Sequence, residues 1–244
     1  MRAMVLCAGY GLRLGEHTRH TPKAMLRLAG LPLLEYILRH LARHGFDEIA
    51  VNLHFLPETI REYFGDGRSC GCQLTYVEEA ELLGTAGSVR RMAEFLAGGV
   101  FLVHYGDVVT NQDFTAMLEA HQRQGALATL LVHQRPGSNS VVVLDDQQRV
   151  SRFLERPSDA QRREAASCWA FSGVTLCNPE LLDLLPATTP CDFPRDVFPG
   201  LAGSGRLLGF PLTGYRCAVD SPERLAEARR AAERGLLGGG RPER

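Results

Sequence analysis

The sequence has 244 residues, of which 45% are hydrophobic and 23% are charged, as is usual for a globular protein of one or two domains. The formal net charge is −1, so there is no broad basic field to hold a nucleic-acid backbone, and no apolar stretch is long enough to cross a membrane. The seven cysteines are scattered, which favours reduced thiols in a cytoplasmic protein. We therefore expect neither a nucleic-acid nor a membrane partner.

Strand-like and helix-like patterns alternate along the first half of the sequence. An apolar run at 3–7 leads into a glycine-rich loop and predicts a buried strand. The later segments are a helix at 33–44, a strand at 48–53, a helix at 57–64, a strand at 74–77, a helix at 86–96, a strand at 100–104, a helix at 114–124 and a strand at 128–133. This alternation predicts crossover units and a mostly parallel sheet.

The pattern changes after about residue 135. Two apolar runs at 141–144 and 150–154 flank Asp145-Asp146 and predict a β-hairpin. A strand at 169–176, a strand-like run at 217–219 and a charged, Ala-rich helix at 222–234 follow. We expect a single domain at 1–234 and a flexible tail at 235–244, which is rich in Gly and Arg.

The loop after the first strand reads Gly9-Tyr10-Gly11-Leu12-Arg13-Leu14. Glycines at such a place let backbone N–H groups approach phosphate oxygens. Leu14 stands where the dinucleotide fingerprint needs its third glycine, and the Gly-Lys-Ser/Thr of a phosphate loop is absent, so neither common motif is present. Arg13 and Lys23 suit the β- and γ-phosphates of a triphosphate. The alternative is a plain turn with solvated charges.

This loop and four later motifs together resemble the signature of the sugar-1-phosphate nucleotidylyltransferases. The motifs keep the family's order over about residues 1 to 230, and they are residues 6–14 with Thr21-Pro22-Lys23, then Leu83-Gly84-Thr85-Ala86-Gly87-Ser88, Tyr105-Gly106-Asp107, Leu154-Glu155-Arg156-Pro157 and Val219-Asp220-Ser221-Pro222-Glu223. The chain is most similar to the short heptose-, mannose- and N-acetylmuramate-1-phosphate nucleotidylyltransferases, which lack a C-terminal β-helix.

The resemblance implies a fold and a reaction. The fold is α/β, with a Rossmann-like, mixed and mostly parallel sheet flanked by helices, of the nucleotide-diphospho-sugar transferase type. The reaction is a Mg²⁺-dependent displacement at the α-phosphorus of a nucleoside triphosphate (NTP). It joins the nucleotide to a sugar 1-phosphate and releases pyrophosphate, without a covalent enzyme intermediate.

The resemblance also assigns the site residues. Residues 1–135 become a nucleotide-binding half, in which the nucleotide contacts are Leu6, Ala8, Gly9, Gly11, Arg13, Lys23, Glu79, Gly84, Thr85, Gly87 and Asp107. Residues 136–234 become a sugar-phosphate-binding half, in which the acceptor contacts are Ser140, Glu155, Arg156, Gly173 and Asp220. The catalytic residues are Arg13, Lys23 and Asp107, and the metal ligands are Asp107 and Asp220. The departures from the family's pattern cluster in the acceptor half, which leaves the sugar open.

The two aspartates are the residues on which the chemistry depends. Each follows a strand-like run, and Mg²⁺ usually takes one or two carboxylates beside substrate phosphates, so converging strand ends would span the reacting groups. Asp220 would also make a helix N-cap. A sugar phosphate is already ionised at neutral pH, so no catalytic histidine is assigned. His40 and His44, which lie four residues apart, are expected on a solvated helix face.

The base and several competing functions stay open at this stage. Glu79 precedes the Gly84 loop, and its carboxylate could accept from guanine, uracil or cytosine N–H groups. GTP is favoured on the Leu-Gly-Thr-Ala-Gly resemblance, with UTP and CTP as alternatives. Cytidylyl transfer to a phosphorylated non-sugar alcohol and a non-catalytic nucleotide-sensing subunit also remain, whereas the missing third glycine argues against an NAD(P)-dependent oxidoreductase. The oligomeric state is open, with a homodimer as one option.

Overall fold

The computed structural model describes residues 1–238. Its strands are β1 (Arg2–Leu6), β2 (Arg27–Leu28), β3 (Leu31–Pro32), β4 (Glu48–Leu53), β5 (Gln73–Glu78), β6 (Phe101–Tyr105), β7 (Val108–Thr110), β8 (Ala128–Gln134), β9 (Ser140–Leu144), β10 (Val150–Glu155), β11 (Trp169–Cys177), β12 (Leu207–Pro211) and β13 (Arg216–Ala218). The strands and the hairpin expected from the sequence are present. The unexpected strands have two to five residues, too few for a clear apolar period.

The α-helices are α1 (Leu33–Arg43), α2 (Pro57–Phe64), α3 (Thr85–Arg91), α4 (Ala93–Leu96), α5 (Phe114–Arg123), α6 (Asp159–Ala165), α7 (Phe198–Leu201) and α8 (Pro222–Glu233). Short 3₁₀-helical segments lie at Leu12–Thr18, which is kinked at Gly15, and at Lys23–Met25, Arg68–Cys70 and Pro179–Leu184, and a π-helical turn lies at Phe193–Val197. The prediction of one helix at 86–96 is wrong, because the chain breaks it at Met92. The Met92 N–H bonds to the Val89 carbonyl in a tighter, 3₁₀-type turn.

The chain forms two compact units whose segments interleave. The first unit contains Met1–Leu82, His104–Phe114 and the chain from Thr213 onward, and the second contains Leu83–Val103 and Thr115–Leu212. The predicted halves, 1–135 and 136–234, are defined by their ligands and stay a prediction. Each unit is described by itself below.

The first unit is built on the parallel strands β1, β4 and β5, with β4 in the middle. In this register Leu6 of β1 pairs with Asn52 of β4, which pairs with Val77 of β5. Strands β1 and β4 are buried over most of their length, whereas β5 has exposed positions at Gln73, Thr75 and Glu78. Helix α1 buries Leu34, Ile37, Leu38 and Leu41 along one face, as its spacing predicted. The carboxyl ends of the three strands therefore align, which is where ligands bind in α/β folds.

The second unit is a mixed set of strands around an aromatic core. Strand β11 pairs antiparallel with β8 and β9, and β9 pairs antiparallel with β10, whereas β12 pairs parallel with β8. Phe198 is fully buried, and its ring lies 5.3 to 5.4 Å from the rings of Phe153, Phe171 and Phe193. Such aromatic packing holds the π-helical turn at 193–197 against the strands.

The predicted flexible tail at 235–244 is described only as far as Gly238. The Leu236 N–H bonds to the Ala231 carbonyl, and Leu237 is buried. The ordered chain thus continues at least three residues past Arg234, while residues 239–244 lie outside the described part. None of the helices within residues 1–238 is both long and apolar enough to cross a bilayer.

Candidate active site

The glycine loop of the first unit folds back on itself directly after β1. Gly11 has a φ of 67°, and its carbonyl accepts hydrogen bonds from the Leu14 N–H, at 3.0 Å, and from the Thr18 hydroxyl, at 3.0 Å. The 3₁₀-helical segment that follows carries Arg13, whose side chain is 70% exposed. The loop therefore has a fixed base and a cation that is free to reach a ligand.

The ends of β1, β4 and β5 are tied together by a chain of hydrogen bonds. The Cys7 N–H donates to Asn52 Oδ1 at 2.7 Å, and Asn52 Nδ2 donates to Glu79 Oε1 at 2.9 Å. Glu79 is only 3% exposed, so its side chain does not lie in a solvated turn. Its carboxylate supports the glycine loop, and its predicted contact with a base stays a prediction.

Asp107 is brought to the glycine loop by Gly106. The Gly106 N–H donates to the Leu6 carbonyl at 2.9 Å, and a Cβ at Gly106 would lie 2.5 Å from Cys7 Sγ. No side chain fits in that gap, which explains why a glycine precedes the aspartate. Cys7 is packed beside these groups, and burial, with a smaller effect from Asp107, raises the pKa of its thiol. The neutral thiol acts as part of the core.

A two-stranded ladder places Asp107 and Asp220 at the same end of one small sheet. Strands β7 and β13 pair antiparallel with Val108 opposite Ala218, and the Val219 N–H donates to the Asp107 carbonyl at 2.7 Å. Because Asp107 precedes β7 and Asp220 follows β13, antiparallel pairing brings them together although they are far apart in sequence. The convergence of strand ends expected from the sequence is thus observed.

Each aspartate faces a cation of the N-terminal segment. Lys23 Nζ lies 2.6 Å from Asp107 Oδ2, and Arg13 Nη1 lies 3.2 Å from Asp220 Oδ2. The Lys23 side chain is 14% exposed and that of Asp107 28%, so this pair is partly shielded from solvent. The first unit thus brings together four predicted site residues as two ion pairs beside the glycine loop.

The N-cap role considered for Asp220 is not observed. Ser221 caps α8, because its hydroxyl accepts a hydrogen bond from the Arg224 N–H at 3.3 Å. Asp220 lies one residue outside the helix, where its carboxylate pairs with Arg13 instead. The expected solvated face for His40 is also wrong, since His40 is 5% exposed and burial lowers its pKa to about 3.

In the second unit, Glu155 and Arg156 end the hairpin of β9 and β10. Glu155 pairs with Ser140 across the hairpin, and the Arg156 N–H donates to the Asn139 carbonyl at 2.6 Å. Arg156 adopts a φ of 48°, and its side chain, 82% exposed, extends away from the strand. Its Nε lies 3.7 Å from Glu155 Oε1. The guanidinium is therefore loosely held and accessible.

Ser140 and Gly173 shape the backbone near this hairpin. Ser140 is buried, and its hydroxyl oxygen accepts a hydrogen bond from the Phe171 N–H at 3.0 Å. Gly173 lies where the register of β11 against β8 shifts, between Phe171 and Thr175, and has a φ of 84°. Both residues have clear structural tasks, so their contact with a sugar stays a prediction.

Gly84 and Gly87 pack against the backbone of Cys191. A Cβ at Gly84 would collide with the Cys191 carbonyl oxygen, and this carbonyl accepts from the Ala86 and Gly87 N–H groups at 2.9 and 3.1 Å. The Thr85 N–H donates to Asp192 Oδ1 at 2.9 Å. Internal packing accounts for the glycine at 84, and the nucleotide contacts of this loop stay a prediction.

Comparison with known proteins identifies the family. A family model described as nucleotidyl transferase matches residues 2–211, which is most of the chain. The chain belongs to the nucleotidyl transferase family. The resemblance to sugar-1-phosphate nucleotidylyltransferases that the motifs indicated is therefore confirmed.

Curated relatives of this nucleotidyl transferase are larger proteins. It is 34% identical over 220 residues to a UTP–glucose-1-phosphate uridylyltransferase of Synechocystis sp., with 84% of this chain and 56% of that protein covered. It is 30% identical over 239 residues to a mannose-1-phosphate guanylyltransferase of Mycobacterium tuberculosis, with 96% of this chain and 65% of that protein covered. The chain thus spans somewhat more than half the length of these relatives.

Solved structures share the fold of this nucleotidyl transferase. A UDP-glucose pyrophosphorylase complexed with UDP-glucose superposes with a TM-score of 0.82 at 18% identity, covering 96% of this chain and 98% of that one. HddC from Yersinia pseudotuberculosis superposes with a TM-score of 0.79 at 18% identity, covering 95% and 99%. The α/β class with a mixed, mostly parallel sheet flanked by helices, of the nucleotide-diphospho-sugar transferase type, is confirmed.

The structure of this nucleotidyl transferase adds two polar residues that the sequence did not indicate. Asn52 links the glycine loop to Glu79, and Asp192 binds the Gly84 loop. Asn52 lies at the end of a predicted strand, at the edge where site residues are expected, so the strand-end rule could have found it. Asp192 lies in an irregular segment, and nothing in its spacing indicates its partner 107 residues away.

Proposed function

We propose that this nucleotidyl transferase joins an NTP to a sugar 1-phosphate and releases pyrophosphate. The observation that carries the proposal is the pairing of Lys23 with Asp107 and of Arg13 with Asp220 beside the glycine loop. Two cations suit the triphosphate and two carboxylates suit a metal, and the two aspartates lie at the same end of the β7–β13 ladder. The names of the two curated relatives, which transfer nucleotides to glucose 1-phosphate and mannose 1-phosphate, support this reading.

The glycine loop is the proposed triphosphate site. Gly9 is exposed, and a Cβ there would meet no atom within 4 Å, so the fold itself does not require a glycine at this position. Close approach of a phosphate to the backbone would require one. Leu6, Ala8 and Gly11 shape the loop, and Arg13 and Lys23 neutralise the phosphates as charge builds on the leaving pyrophosphate.

Lys23 is proposed to steady the α-phosphate and the incoming phosphate of the acceptor. It is the only lysine in the sequence, in which every other cationic side chain of this type is arginine. A compact ammonium fits a site that is 14% exposed and flanked by a carboxylate 2.6 Å away, whereas the wider planar guanidinium binds in a fork. The choice of lysine at this one position supports a role that depends on its shape as well as its charge.

Asp107 and Asp220 are the proposed ligands of Mg²⁺. The donor set fits, because Mg²⁺ prefers oxygen ligands and is usually held by one or two carboxylates together with water and substrate phosphates. Within residues 1–238 no three His, Cys, Asp or Glu side chains are grouped as a metal site, so the remaining ligands would come from the substrate and water. When bound, the metal supplies positive charge between the phosphates. Until the metal binds, Lys23 pairs with Asp107 and Arg13 pairs with Asp220.

Glu155 and Arg156 are proposed to bind the acceptor, with Ser140 and Gly173 shaping the backbone around it. Arg156 is exposed and lies 3.7 Å from Glu155 in a weak ion pair, so its charge can turn to a phosphate. Glu155 can accept hydrogen bonds from sugar hydroxyls. Asp220 completes the proposed acceptor contacts.

The identity of the base stays a prediction, and GTP is favoured. Glu79, Gly84, Thr85 and Gly87 are the proposed contacts with the base and ribose. The relatives divide between uridylyl and guanylyl transfer, so their names do not decide the base. We also propose that the enzyme is cytoplasmic and has no nucleic-acid or membrane partner. Its oligomeric state is open, with a homodimer as one option.

Pyrophosphate release tests the proposal directly. The full chain is incubated with Mg²⁺, each of GTP, UTP, CTP, ATP and dTTP, and glucose, mannose, heptose or N-acetylmuramate 1-phosphate. We expect release with at least one pair and none without the acceptor. Release with phosphocholine alone would favour the cytidylyltransferase alternative. Nucleotide binding without release for any acceptor would favour the nucleotide-sensing subunit and contradict the proposal.

Chemical labelling provides a second test that does not depend on turnover. An amine-selective acylating reagent can modify only the Lys23 ε-amine and the N-terminal amine, which mass spectrometry separates. We expect Mg²⁺ with the correct NTP to protect Lys23 and leave the rate at Met1 unchanged. Equal labelling of Lys23 with and without every NTP would remove it from the triphosphate site.

A glycine pair offers a matched control for the loop. Gly9→Ala should keep the wild-type Tm and raise the KM for the NTP by about tenfold, because the added methyl meets no protein atom but obstructs a phosphate. Gly200 also has open space around a built Cβ, so Gly200→Ala should change neither quantity. An unchanged KM in Gly9→Ala would argue against a phosphate at this loop.

A further inference from the structure

The segment 191–193 of the second unit binds the amino end of α3 through its backbone. The Cys191 carbonyl accepts from the Ala86 and Gly87 N–H groups, and the Cys191 N–H donates to the Leu83 carbonyl at 2.9 Å. These bonds join two stretches of chain that are more than 100 residues apart in sequence. Side-chain bonds between the two stretches are needed to keep these long-range backbone bonds in register.

Asp192 and Thr85 form a reciprocal pair at the junction. Asp192 Oδ1 accepts from the Thr85 N–H at 2.9 Å and from the Thr85 hydroxyl at 3.2 Å. The Thr85 hydroxyl oxygen in turn accepts from the Phe193 N–H at 2.9 Å. Each side chain thus satisfies the backbone N–H that starts the other segment. Hydrogen bonds to a carboxylate are among the stronger ones in proteins.

The second oxygen of Asp192 faces a different group. Asp192 Oδ2 lies 3.4 Å from Arg195 Nη2, and Arg195 is also paired with Asp196 at 2.9 Å. The Asp192 N–H donates to Asp196 Oδ2 at 2.7 Å. The π-helical turn is therefore held by the same carboxylate that holds the start of α3.

The charges of this turn affect the pKa of the Glu155 carboxyl group. Burial raises the pKa of Glu155, Arg156 lowers it, Asp192 raises it further, and Arg195 lowers it. These opposing effects mean that Asp192 and Arg195 lie within electrostatic range of the proposed acceptor residues. Asp192 thus contacts Thr85 directly and acts on Glu155 through its charge.

We propose that Asp192 is a positioning residue of the transferase, which holds the Leu83–Gly87 loop through Oδ1 and Arg195 through Oδ2. The proposal rests on the function proposed above for the same unit. Loss of the hydrogen bonds to Oδ1 frees the loop and weakens the binding of the nucleotide. Loss of the negative charge alone leaves the loop in place and changes the field at Glu155 and Arg156.

Two substitutions separate these effects. Asp192→Ala removes both oxygens and should raise the KM for the NTP by about tenfold, with kcat changed less than about threefold. Asp192→Asn keeps an oxygen for Thr85, so its KM for the NTP should stay within about threefold of wild type, while the KM for the sugar 1-phosphate should fall, because one negative charge that repels the phosphate is removed. Asp146, an exposed residue of the β9–β10 turn, provides the control Asp146→Ala, which should change neither KM.

A coupling measurement covers the case in which Asp192→Ala folds poorly. Thr85→Val removes only the hydroxyl and should raise the KM for the NTP by a few-fold. Asp192→Asn keeps the shared oxygen, so the double variant should have about the same KM for the NTP as Thr85→Val alone. An unchanged KM for the NTP in Thr85→Val, or equal increases in both KM values in every variant, would overturn the proposal.

Hydrogen exchange without substrate separates this inference from the proposed function. The amides of Thr85, Ala86 and Gly87 should exchange at least about tenfold faster in Asp192→Ala than in wild type and in Asp146→Ala. Wild-type protein that releases no pyrophosphate with any pair would contradict the proposed function, and with it the positioning role in catalysis. Unchanged exchange in an active Asp192→Ala would contradict only the role of Asp192.

Discussion

The two units hold their charged residues in different ways. In the first unit the Lys23 side chain is 14% exposed and lies 2.6 Å from Asp107, whereas in the second the Arg156 side chain is 82% exposed and lies 3.7 Å from Glu155. A buried, paired cation has already lost its rotamer freedom on folding, while an exposed one loses it when the ligand binds. The first cluster, Lys23 with Asp107, is thus built for fixed geometry, and the second cluster, Glu155 with Arg156, for adjustment to its ligand. Substitutions should therefore be far less tolerated in the first cluster.

The largest effect is expected at Asp107. Asp107→Asn keeps the size of the side chain and removes its charge, so the proposed metal loses a ligand and kcat should fall by about 10³-fold. Pyrophosphate release measures kcat, and electron paramagnetic resonance of Mn²⁺ with the NTP measures metal binding. Asp146→Asn, on the exposed turn of the second unit, is the control. Turnover at the wild-type rate in Asp107→Asn would remove this residue from the metal site.

The next effect tests the shape of the Lys23 site. Lys23→Arg keeps the charge and can still pair with Asp107, but the planar guanidinium spreads the charge over a wider group than the ammonium, so the phosphates meet it in a different place and kcat should fall by about 10²-fold. The thermal unfolding of the variant, followed by circular dichroism, should differ little from wild type, since the ion pair can still form. An active Lys23→Arg would show that this cluster is as adaptable as the second.

At Arg156 the opposite exchange, from arginine to lysine, should be tolerated. Arg156→Ala should raise the KM for the sugar 1-phosphate by about tenfold and leave that for the NTP unchanged, because a charged hydrogen bond to one substrate is lost. Arg156→Lys should recover most of the loss, since the exposed side chain has room to move. Initial rates at varied acceptor concentration measure both. A loss in Arg156→Lys as large as in Arg156→Ala would mean that the fork geometry, rather than the charge, binds the acceptor.

The same contrast explains what the sequence could predict. The elements of the first unit follow short apolar runs and helical spacing. The family resemblance assigned Asp107 and Asp220, and the strand-end rule is consistent with the edge at which they lie. This works because parallel strands align their carboxyl ends, whatever the details of packing. The meeting of the two aspartates needed a short antiparallel pair that no period in the sequence indicates.

Several placements depend on contacts that sequence spacing does not encode. His40 was expected in solvent, yet its Nε2 lies 2.9 Å from the Gln112 carbonyl and its ring packs on Phe114. Asp220 competes for the cap of α8 with Ser221, which sits one residue closer to the helix. Asp192 finds Thr85 only after the chain has folded. Local patterns therefore predicted the elements, and long-range pairing determined these roles.

The smallest effect concerns Glu155, whose ion pair within residues 1–238 is the 3.7 Å contact with the exposed Arg156. Its pKa is raised chiefly by burial, so the folded chain binds more protons than the unfolded one above the ordinary value of 4.5. The stability that this group contributes is fully present below that value and is lost as the pH rises through the raised pKa. At pH 7 the ionised carboxylate thus weakens the fold slightly, and Glu155→Gln should melt at or above the wild-type Tm, with the difference disappearing below pH 4.5. Glu164→Gln, on an exposed ion pair with Arg152, is the control and should show no such gain.

The same Glu155→Gln variant should bind the sugar 1-phosphate less well, because an amide accepts fewer hydrogen bonds than a carboxylate. A lower Tm at pH 7 would mean that Arg156 holds Glu155 firmly, and the second cluster would then resemble the first.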